Sequence, residues 1–538
     1  MTKSNIVPMS YDITIIGAGP VGCLLASLLG PSKKSILIID SNDGILEIPR
    51  AIALDQDALR ILQAARVLDL MGDKIQPINK VQMISPILGT FIDVTAFGDI
   101  DCHPRLSSFY QPELERAIRT KMKEFPNIYL VSETLYTSHK EQNDGKILIE
   151  LNNKGKSLSI YSQMLVGCDG SKSKVRENLM IPMEGSSYEE EWYILDTEDK
   201  KEPDRNVVFH CDPSLPIAEI PGPGTTHRWE FLLSRDTNKE RIEKELLNKW
   251  MKQFNGLDDR KVIRKAIYKF QAKLCPSFSR GKVFLAGDSC HLTPPFAGQG
   301  LVSGIRDAYN LFWKLDFYLS HSRIKESLLD SYSIERVPHV RNMIRLARFM
   351  GSIIMTKNYM LAFLRDLLFL IIRITPFRYY TTEMKIKPIH KYKEGLFLRK
   401  NQKVLPEIQS GRVFPQSIVK TTTGEFKASD DCMGSHFFVL VLGTDLDWIR
   451  DTSEWALWKE IGGQFGIIKH TGQSLDTKGA DLVMEDTQSI FLKAFGKNIS
   501  GVIIRPDKIV AAVFDLSIGR QSLRFFLNQF IIYGEQDD

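Results

Sequence analysis

At 538 residues, 43% of them hydrophobic and 25% charged, the chain has the composition of an ordinary soluble globular protein and room for about three domains of roughly 150 residues. The 70 basic residues outnumber the 65 acidic ones for a net charge of only +5, with no dense basic block, which excludes a nucleic-acid-binding class. Seven cysteines stand singly, without CxxC or metal-ligand spacing, so neither a disulfide framework nor a metal site is expected, and a reducing, cytoplasmic setting is.

Residues 1–10 lack the apolar core of a signal peptide. An apolar strand at 13–16 then runs into Gly17-Ala-Gly-Pro-Val-Gly22, a small-residue helix follows at 20–29, and a second strand at 36–39 ends in Asp40. Each glycine has its own duty: a tight turn at Gly17, close backbone approach to a pyrophosphate at Gly19, helix-on-strand packing at Gly22. The helix opening at Pro20 offers free N–H groups to phosphates, and Asp40, about 20 residues on, is placed to accept hydrogen bonds from an adenosine ribose. These residues predict a dinucleotide site.

Helical periodicity is expected over 55–70, strands in a meander over 81–103, a helix over 112–125, and strands at 128–135, 146–151 and 162–166. The last runs into Cys168-Asp-Gly-Ser-Lys-Ser-Lys-Val-Arg176, where Asp169 and Gly170 can turn the chain at a helix start. Ser171, Ser173 and Arg176 there can either cap the helix or meet an anion. From about 190 to 275 strands at 207–210, 217–220, 228–233 and 267–273 surround a charged helix at 239–254, which reads as a mostly antiparallel sheet inserted into the first domain. A strand at 282–286 then ends in Gly287-Asp288, an extended Pro-Pro loop follows, and Gly298-Gln299-Gly300 opens a helix over 301–319. Asp288 can bind a polyol hydroxyl, and this glycine-rich N-terminus can stabilise negative charge on a flat heterocycle.

Helices continue to about 375, and the most apolar, 359–376, carries Arg365, Asp366 and Arg373. A membrane span needs about 20 largely uncharged residues, so a buried or docked helix is expected, with no stable membrane insertion. After a turn-rich linker at 406–415, strands at 437–442, 466–469 and 502–504 and helices at 455–461 and 488–494 give the βαβα-then-hairpin order of thioredoxin-like folds.

The three glycine-acid motifs, in this order and spacing, resemble those of the class A FAD-dependent aromatic hydroxylases of p-hydroxybenzoate hydroxylase-like fold. The chain is most similar to the 3-(3-hydroxyphenyl)propionate hydroxylase branch, through Pro49-Arg-Ala-Ile-Ala-Leu-Asp-Gln-Asp-Ala-Leu-Arg60, Gln111-Pro112, Cys211-Asp-Pro213, Gly304-Ile-Arg-Asp-Ala-Tyr-Asn-Leu-Phe-Trp-Lys314 and Arg505-Pro-Asp-Lys508. The resemblance implies an α/β fold: a Rossmann-like FAD-binding domain (1–80, 105–185, 280–395), an inserted, mainly antiparallel substrate domain (81–104, 186–279), and a thioredoxin-like C-terminal domain (410–538) without CxxC. That tail would pack or dimerise rather than exchange disulfides, and a homodimer is the expectation from such relatives.

By the same resemblance Gly17, Gly19, Pro20, Gly22 and Asp40 would hold the ADP half of FAD, and Arg50 and Gln111 would reach the flavin from the side. Asp169 would bridge FAD and incoming NADH or NADPH, Gly287 and Asp288 would bind the ribityl chain, and Pro294 with the Gly298-Gln299-Gly300 backbone would line the isoalloxazine. The implied reaction is hydroxylation of a phenolic or aromatic acid substrate with NAD(P)H and O2 through a flavin hydroperoxide. The pocket for this small aromatic substrate is expected between the flavin and residues 190–233 of the inserted sheet. His210, Tyr193 and Arg228 are attractive there, but none is assigned as catalytic. One departure stands out: the family's Asn two residues after Gly-Gln-Gly is Val302 here, which would remove an amide from the flavin edge. A halogenase is disfavoured, because Glu191-Trp-Tyr-Ile-Leu195 does not match the Trp-x-Trp-x-Ile-Pro signature. A flavin monooxygenase of secondary metabolism and a flavin-binding protein without turnover remain as alternatives.

Overall fold

The computed structural model describes residues 9–233, 260–383, 390–399, 407–496 and 499–532. The charged helix expected at 239–254 lies outside the described residues. Three sheets organise the molecule. In the first, Ile128–Val131, Ile36–Ile39, Ser10–Ile16, Lys156–Gly167 and Val283–Leu285 run parallel side by side. The apolar run at 36–39 is buried at every position, as a strand covered on both faces must be. Thr134–Glu141 and Ile147–Asn153 extend this sheet antiparallel.

Helices α1 (Pro20–Leu29), α3 (Gln111–Met122), α5 (Gln299–Ser320) and α6 (Ser327–Ile354) line the cavity described below, whereas α2 (Gln56–Ala64), α4 (Lys174–Asn178) and α7 (Tyr359–Ile374) do not. Helices α1 and α5 pack very closely: a Cβ on Gly304 would lie 2.6 Å from Val21 Cγ2. Helix α2 is shorter than the periodicity predicts. Arg66 takes a left-handed conformation (φ 54°), while its N–H reaches Gln63 O and that of Val67 reaches Leu62 O, a Schellman closure that ends the helix before the apolar pattern does. The single strand expected over 128–135 is likewise split, with Glu133 left-handed at the break.

The second sheet is antiparallel except where Asn206–His210 pairs parallel with Lys80–Ser85. Its central strand, Glu184–Glu198, has a register break between Ser187 and Glu191. One face carries Trp192, Ile194, Met83, Val207 and Phe209 toward Phe296 and helices α6 and α7, and the other carries Tyr193, Leu195, Trp229 and Phe231 in a separate cluster.

Helix α7 corrects a simple expectation about its sides. It docks through its charges: Asp366 is fully buried, and Arg365 lies over the Phe91 ring at 4.9 Å while donating to the carbonyls of Ile353 and Cys211. Apart from Ala362, Phe369 and Leu370, most of its apolar side chains turn outward, with Met360 68% and Ile374 85% exposed. A guanidinium that finds carbonyls, a carboxylate and an aromatic face tolerates burial, and that fixes the rotation of the helix. No helix among the described residues is long and apolar enough to cross a membrane.

In the third sheet the order is Phe426–Ala428, Ile418–Thr421, Leu482–Asp486, Gln464–His470, Phe438–Leu442, Gly501–Ile504 and Val510–Phe514. It meets α5 and α6 across a buried ionic seam. Lys314 donates to Glu335 at 2.9 Å, Arg505 donates to the same carboxylate at 2.9 Å and to Asp507, and Asn310 completes the set at 2.7 Å. Farther along, Arg60 of α2 forms a two-pronged bond to Asp430 at 2.6 and 2.8 Å.

Candidate functional site

Local chemistry shapes each of the three motifs. Gly17 has φ 107°, and a Cβ there would sit 2.3 Å from Cys168 O; a Cβ on Gly22 would sit 2.1 Å from Gly17 O. Both positions therefore demand glycine for packing alone. Gly19 differs: it opens α1 with an ordinary backbone (φ −73°), no side chain caps the helix, and nothing lies within 4 Å of a Cβ built on it. The first turn of α1 thus presents free N–H groups to open space. Asp40 Oδ2 accepts from Ala18 N at 2.6 Å and Oδ1 from Asn42 N at 2.8 Å, so this acid also holds the glycine turn in shape.

The second motif is internally committed. Asp169 accepts from Ser173 Oγ at 2.5 Å, Lys174 N at 2.7 Å and Val175 N at 3.2 Å. Ser173 caps α4 through Arg176 N, and Arg176 donates to the carbonyls of Ser289 and Ser171. Of the two sequence readings, capping is the one Ser173 and Arg176 follow; they brace the second motif against the third rather than facing an anion.

In the third motif Gly287 (φ 66°) follows the strand Val283–Leu285, and its N–H is held at 3.0 Å by Asp307 Oδ2. Burial alone would raise the Asp307 carboxyl, but Arg336 at 2.7 Å and His291 at 2.7 Å outweigh it and hold it at about 2. Cys290, His291 and Asp307 do converge in space, yet Asp307 already serves Arg336 and the Gly287 N–H. Asp288 is different. Its carboxyl opens onto the cavity, accepts no hydrogen bond among the described residues, and is raised by the surrounding protein. Gly298, left-handed at φ 62°, starts α5 without a side-chain cap, while the Gln299 side chain bonds Asp55 and Arg306 and so anchors that first turn.

These pieces surround one cavity of about 470 Å³. Gly19, Pro20, Arg50, Gln111, Gly287, Asp288, Gly298, Gln299 and Gly300 line it; Gly17, Gly22, Asp40, Asp169 and Pro294 do not, although Cys168, Gly170 and Pro295 beside them do. Val302 is fully buried in the main core and does not line the cavity, whose wall at that turn is Leu301. The far end is apolar, built by Val81, Met83, Ile92, Val94, Val207, Phe209, Ile220, Phe296, Leu346 and Met350. Sequence reasoning placed the pocket against 190–233; the strands Lys80–Ser85 and Gly89–Thr95, which it gave largely to the substrate domain but not to the pocket, line the cavity too, as does helix α6, which it missed.

The 49–51 segment is clamped from two sides. Gln111 Oε1 accepts from Arg50 N at 3.1 Å and Ala51 N at 2.8 Å. Arg228 donates to Arg50 O at 2.9 Å and Pro49 O at 2.8 Å while paired with Asp196 at 2.6 Å, and Arg264 adds a bond to Pro49 O at 2.6 Å. Arg228 is therefore a positioning residue. His210 is paired with Glu219 at 3.1 Å, and Tyr193 is buried in the cluster on the opposite face of the sheet. Glu230, unnoticed in the sequence, is the acid in the apolar wall. Two uncapped helix starts, an acid without a partner and a space left open among the described residues suit an elongated cofactor with a pyrophosphate and a polyol.

The whole chain has known counterparts. Residues 411–527 match the HcaD C-terminal domain. At 29% identity over 512 residues it resembles the 3-(3-hydroxy-phenyl)propionate/3-hydroxycinnamic acid hydroxylases of Escherichia coli K12 and Shigella sonnei Ss046, covering 94% of this chain and 92% of theirs. The fold is that of the flavin-dependent monooxygenase PieE, solved with FAD and substrate (TM-score 0.80, 17% identity, 97% of this chain and 99% of that one). It is also that of OxyS anhydrotetracycline hydroxylase from Streptomyces rimosus (TM-score 0.74, 21% identity, 97% and 99%). Because residues 10–347, more than half of the chain, match the family described as FAD binding domain, and they supply all of the cavity's lining except Met350 and Glu383, the protein belongs to that FAD-binding family.

Proposed function

We propose that the protein is an FAD-dependent monooxygenase that hydroxylates a phenolic or aromatic acid substrate with NADH or NADPH and O2, in the manner named for its curated relatives. One observation carries this reading: two motifs distant in sequence, the first and the third, bring two open helix starts and the unpartnered Asp288 to one end of a cavity whose other end is apolar. When bound, FAD supplies the oxygen chemistry. The first turn of α1, with Gly17, Gly19, Pro20, Gly22 and Asp40, holds the ADP half. Gly287 and Asp288 hold the ribityl hydroxyls. Pro294 and the Gly298–Gly300 backbone lie along the ring system, where the α5 dipole favours negative charge. Arg50, presented by the Gln111 and Arg228 clamp, flanks the ring, and Asp169 fixes the wall along which NAD(P)H would approach.

The domain division proposed is 1–80, 105–185 and 280–395 for FAD, 81–104 and 186–279 for substrate, and 410–538 as a thioredoxin-like tail. For the tail, the order Val510–Phe514, Gly501–Ile504, Phe438–Leu442, Gln464–His470, with the second strand antiparallel to its neighbours, supports the reading. Seven free cysteines support a reducing, cytoplasmic setting.

The test is to purify the protein, record flavin absorbance, and measure NAD(P)H oxidation stimulated by phenols together with the hydroxylated product. A polypeptide that takes up no flavin would sink the reading. Asp288→Ala should emerge colourless, with FAD affinity reduced at least about tenfold, the scale of one lost charge-assisted hydrogen bond. Equal flavin occupancy in parent and variant would remove Asp288 from the site.

A further inference from the structure

The sheet wall of the cavity is apolar at Val81, Met83, Val207, Phe209 and Ile220, and Glu230 interrupts it. Glu230 lies on the strand Thr226–Leu232, in register with Ile194 on one side and Ala218 on the other. The residue is 8% exposed, and its carboxyl has no hydrogen bond or ion pair among the described residues. The nearest cation on its own strand, Arg228, is engaged by Asp196 and the carbonyls of Pro49 and Arg50. Burial outweighs Arg228 and pushes the Glu230 carboxyl up to about 7. A buried acid left without a partner in a packed sheet is costly, and a cavity is where such a cost serves a ligand.

The cations around this cavity matter as much. Arg50 is the one cation among the described residues that line it, and the functional reading above places Arg50 beside the flavin. A substrate carboxylate entering the apolar end would meet Glu230, with no further guanidinium or ammonium lining the cavity among the described residues.

Resting on that functional reading, we infer that the substrate is an uncharged phenol, its ring against the apolar strands and its hydroxyl on Glu230, and that an aromatic acid is a poor substrate. The O–H proton passes to a Glu230 carboxylate oxygen and the bonding pair stays on the phenolic oxygen. The ring thereby gains electron density ortho and para to it, nothing is oxidised in this step, and the proton returns to product. The charged groups facing Glu230 are Arg228 on its own strand, Asp196 on Glu184–Glu198 and Arg264 on Lys261–Leu274, while the strand Ile217–Pro221 contributes none on this face. Asp288 and Glu383 share the cavity.

The experiment compares 3-propylphenol with 3-(3-hydroxyphenyl)propionate, which share ring, hydroxyl and side-chain length but differ in the terminal carboxylate. FAD-loaded protein is titrated with each, reading the flavin absorbance change and the stimulated NAD(P)H oxidation. At pH 8 the neutral phenol should bind at least tenfold tighter. Its kcat/KM should rise with pH through about 7 as Glu230 ionises. In Glu230→Gln that rise should vanish and kcat should fall at least tenfold with flavin occupancy unchanged, whereas Glu230→Asp should restore a rise. Tighter or equal binding of the acid, or the same pH rise in Glu230→Gln, overturns the inference while leaving the monooxygenase reading intact. Flavin-loaded protein that responds to neither phenol overturns both.

Discussion

Gly19→Val should give a protein that folds and melts like its parent but retains no FAD. The backbone at Gly19 (φ −73°, ψ −177°) suits a β-branched residue, and the side chain would project into space free of protein atoms within 4 Å. If that space belongs to a pyrophosphate, the isopropyl group takes it. Its two neighbouring glycines should behave oppositely. Gly17→Ala and Gly22→Ala place a methyl carbon 2.3 Å and 2.1 Å from backbone oxygens, so both should lose stability before cofactor binding can be measured. The check is parallel thermal melting of apoprotein and flavin titration by fluorescence quenching. Normal FAD uptake by a well-folded Gly19→Val would move the pyrophosphate elsewhere.

Glu335→Ala should cost about 3–5 kcal/mol of stability, the usual consequence of removing one partner from a buried ion cluster. It would strand Lys314 and leave Arg505 with Asp507 alone, both cations fully buried. Burial, only partly offset by Glu335, already pushes Lys314 down to about 8, so without its partner it would give up its proton. Acid acts on the same cluster. Burial would raise the Glu335 carboxyl, yet Arg505 and Lys314 hold it far below the usual carboxylate range. A depressed folded value means that its stabilisation is complete above the unfolded value of about 4.3 and is lost as pH falls below it. Urea unfolding at pH 7, 5 and 3 should therefore show the parent weakening toward pH 3 and the variant changing less. Equal slopes would show that this carboxylate does not carry the acid sensitivity.

How much of this was legible in the sequence depended on how locally each feature is determined. Gly17, Gly22, Gly287 and Gly298 act through their own backbone or that of a near neighbour, so the motifs announced the cavity. The Schellman closure at Arg66 did not, because a left-handed arginine leaves no compositional mark. The strand Glu184–Glu198 was hidden by its acidic stretch at Glu189–Glu191, which interrupts the alternation of a buried strand. Glu230, Asp307 and the Arg228 clamp were invisible for a third reason. Their partners are contributed by other strands and helices, and no spacing along the chain encodes that meeting. Helix α7 was recognised as a helix, but which side faced inward was decided by Phe91 and two carbonyls far from it in sequence.

The contact between α5, α6 and the third sheet adds matched ions to the packing of Trp313 and Phe317 on Phe437, and the ions are what a foreign sequence cannot match by apolarity alone. Two pairs cross it, Arg60 with Asp430 and Glu335 with Arg505, while Lys314 and Asp507 balance the charge from their own sides. A chimera that borrows the tail of a relative would inherit half of a lock. Grafts should succeed best where both halves travel together, because the last hundred-odd residues depend on the cofactor region to balance their buried charge.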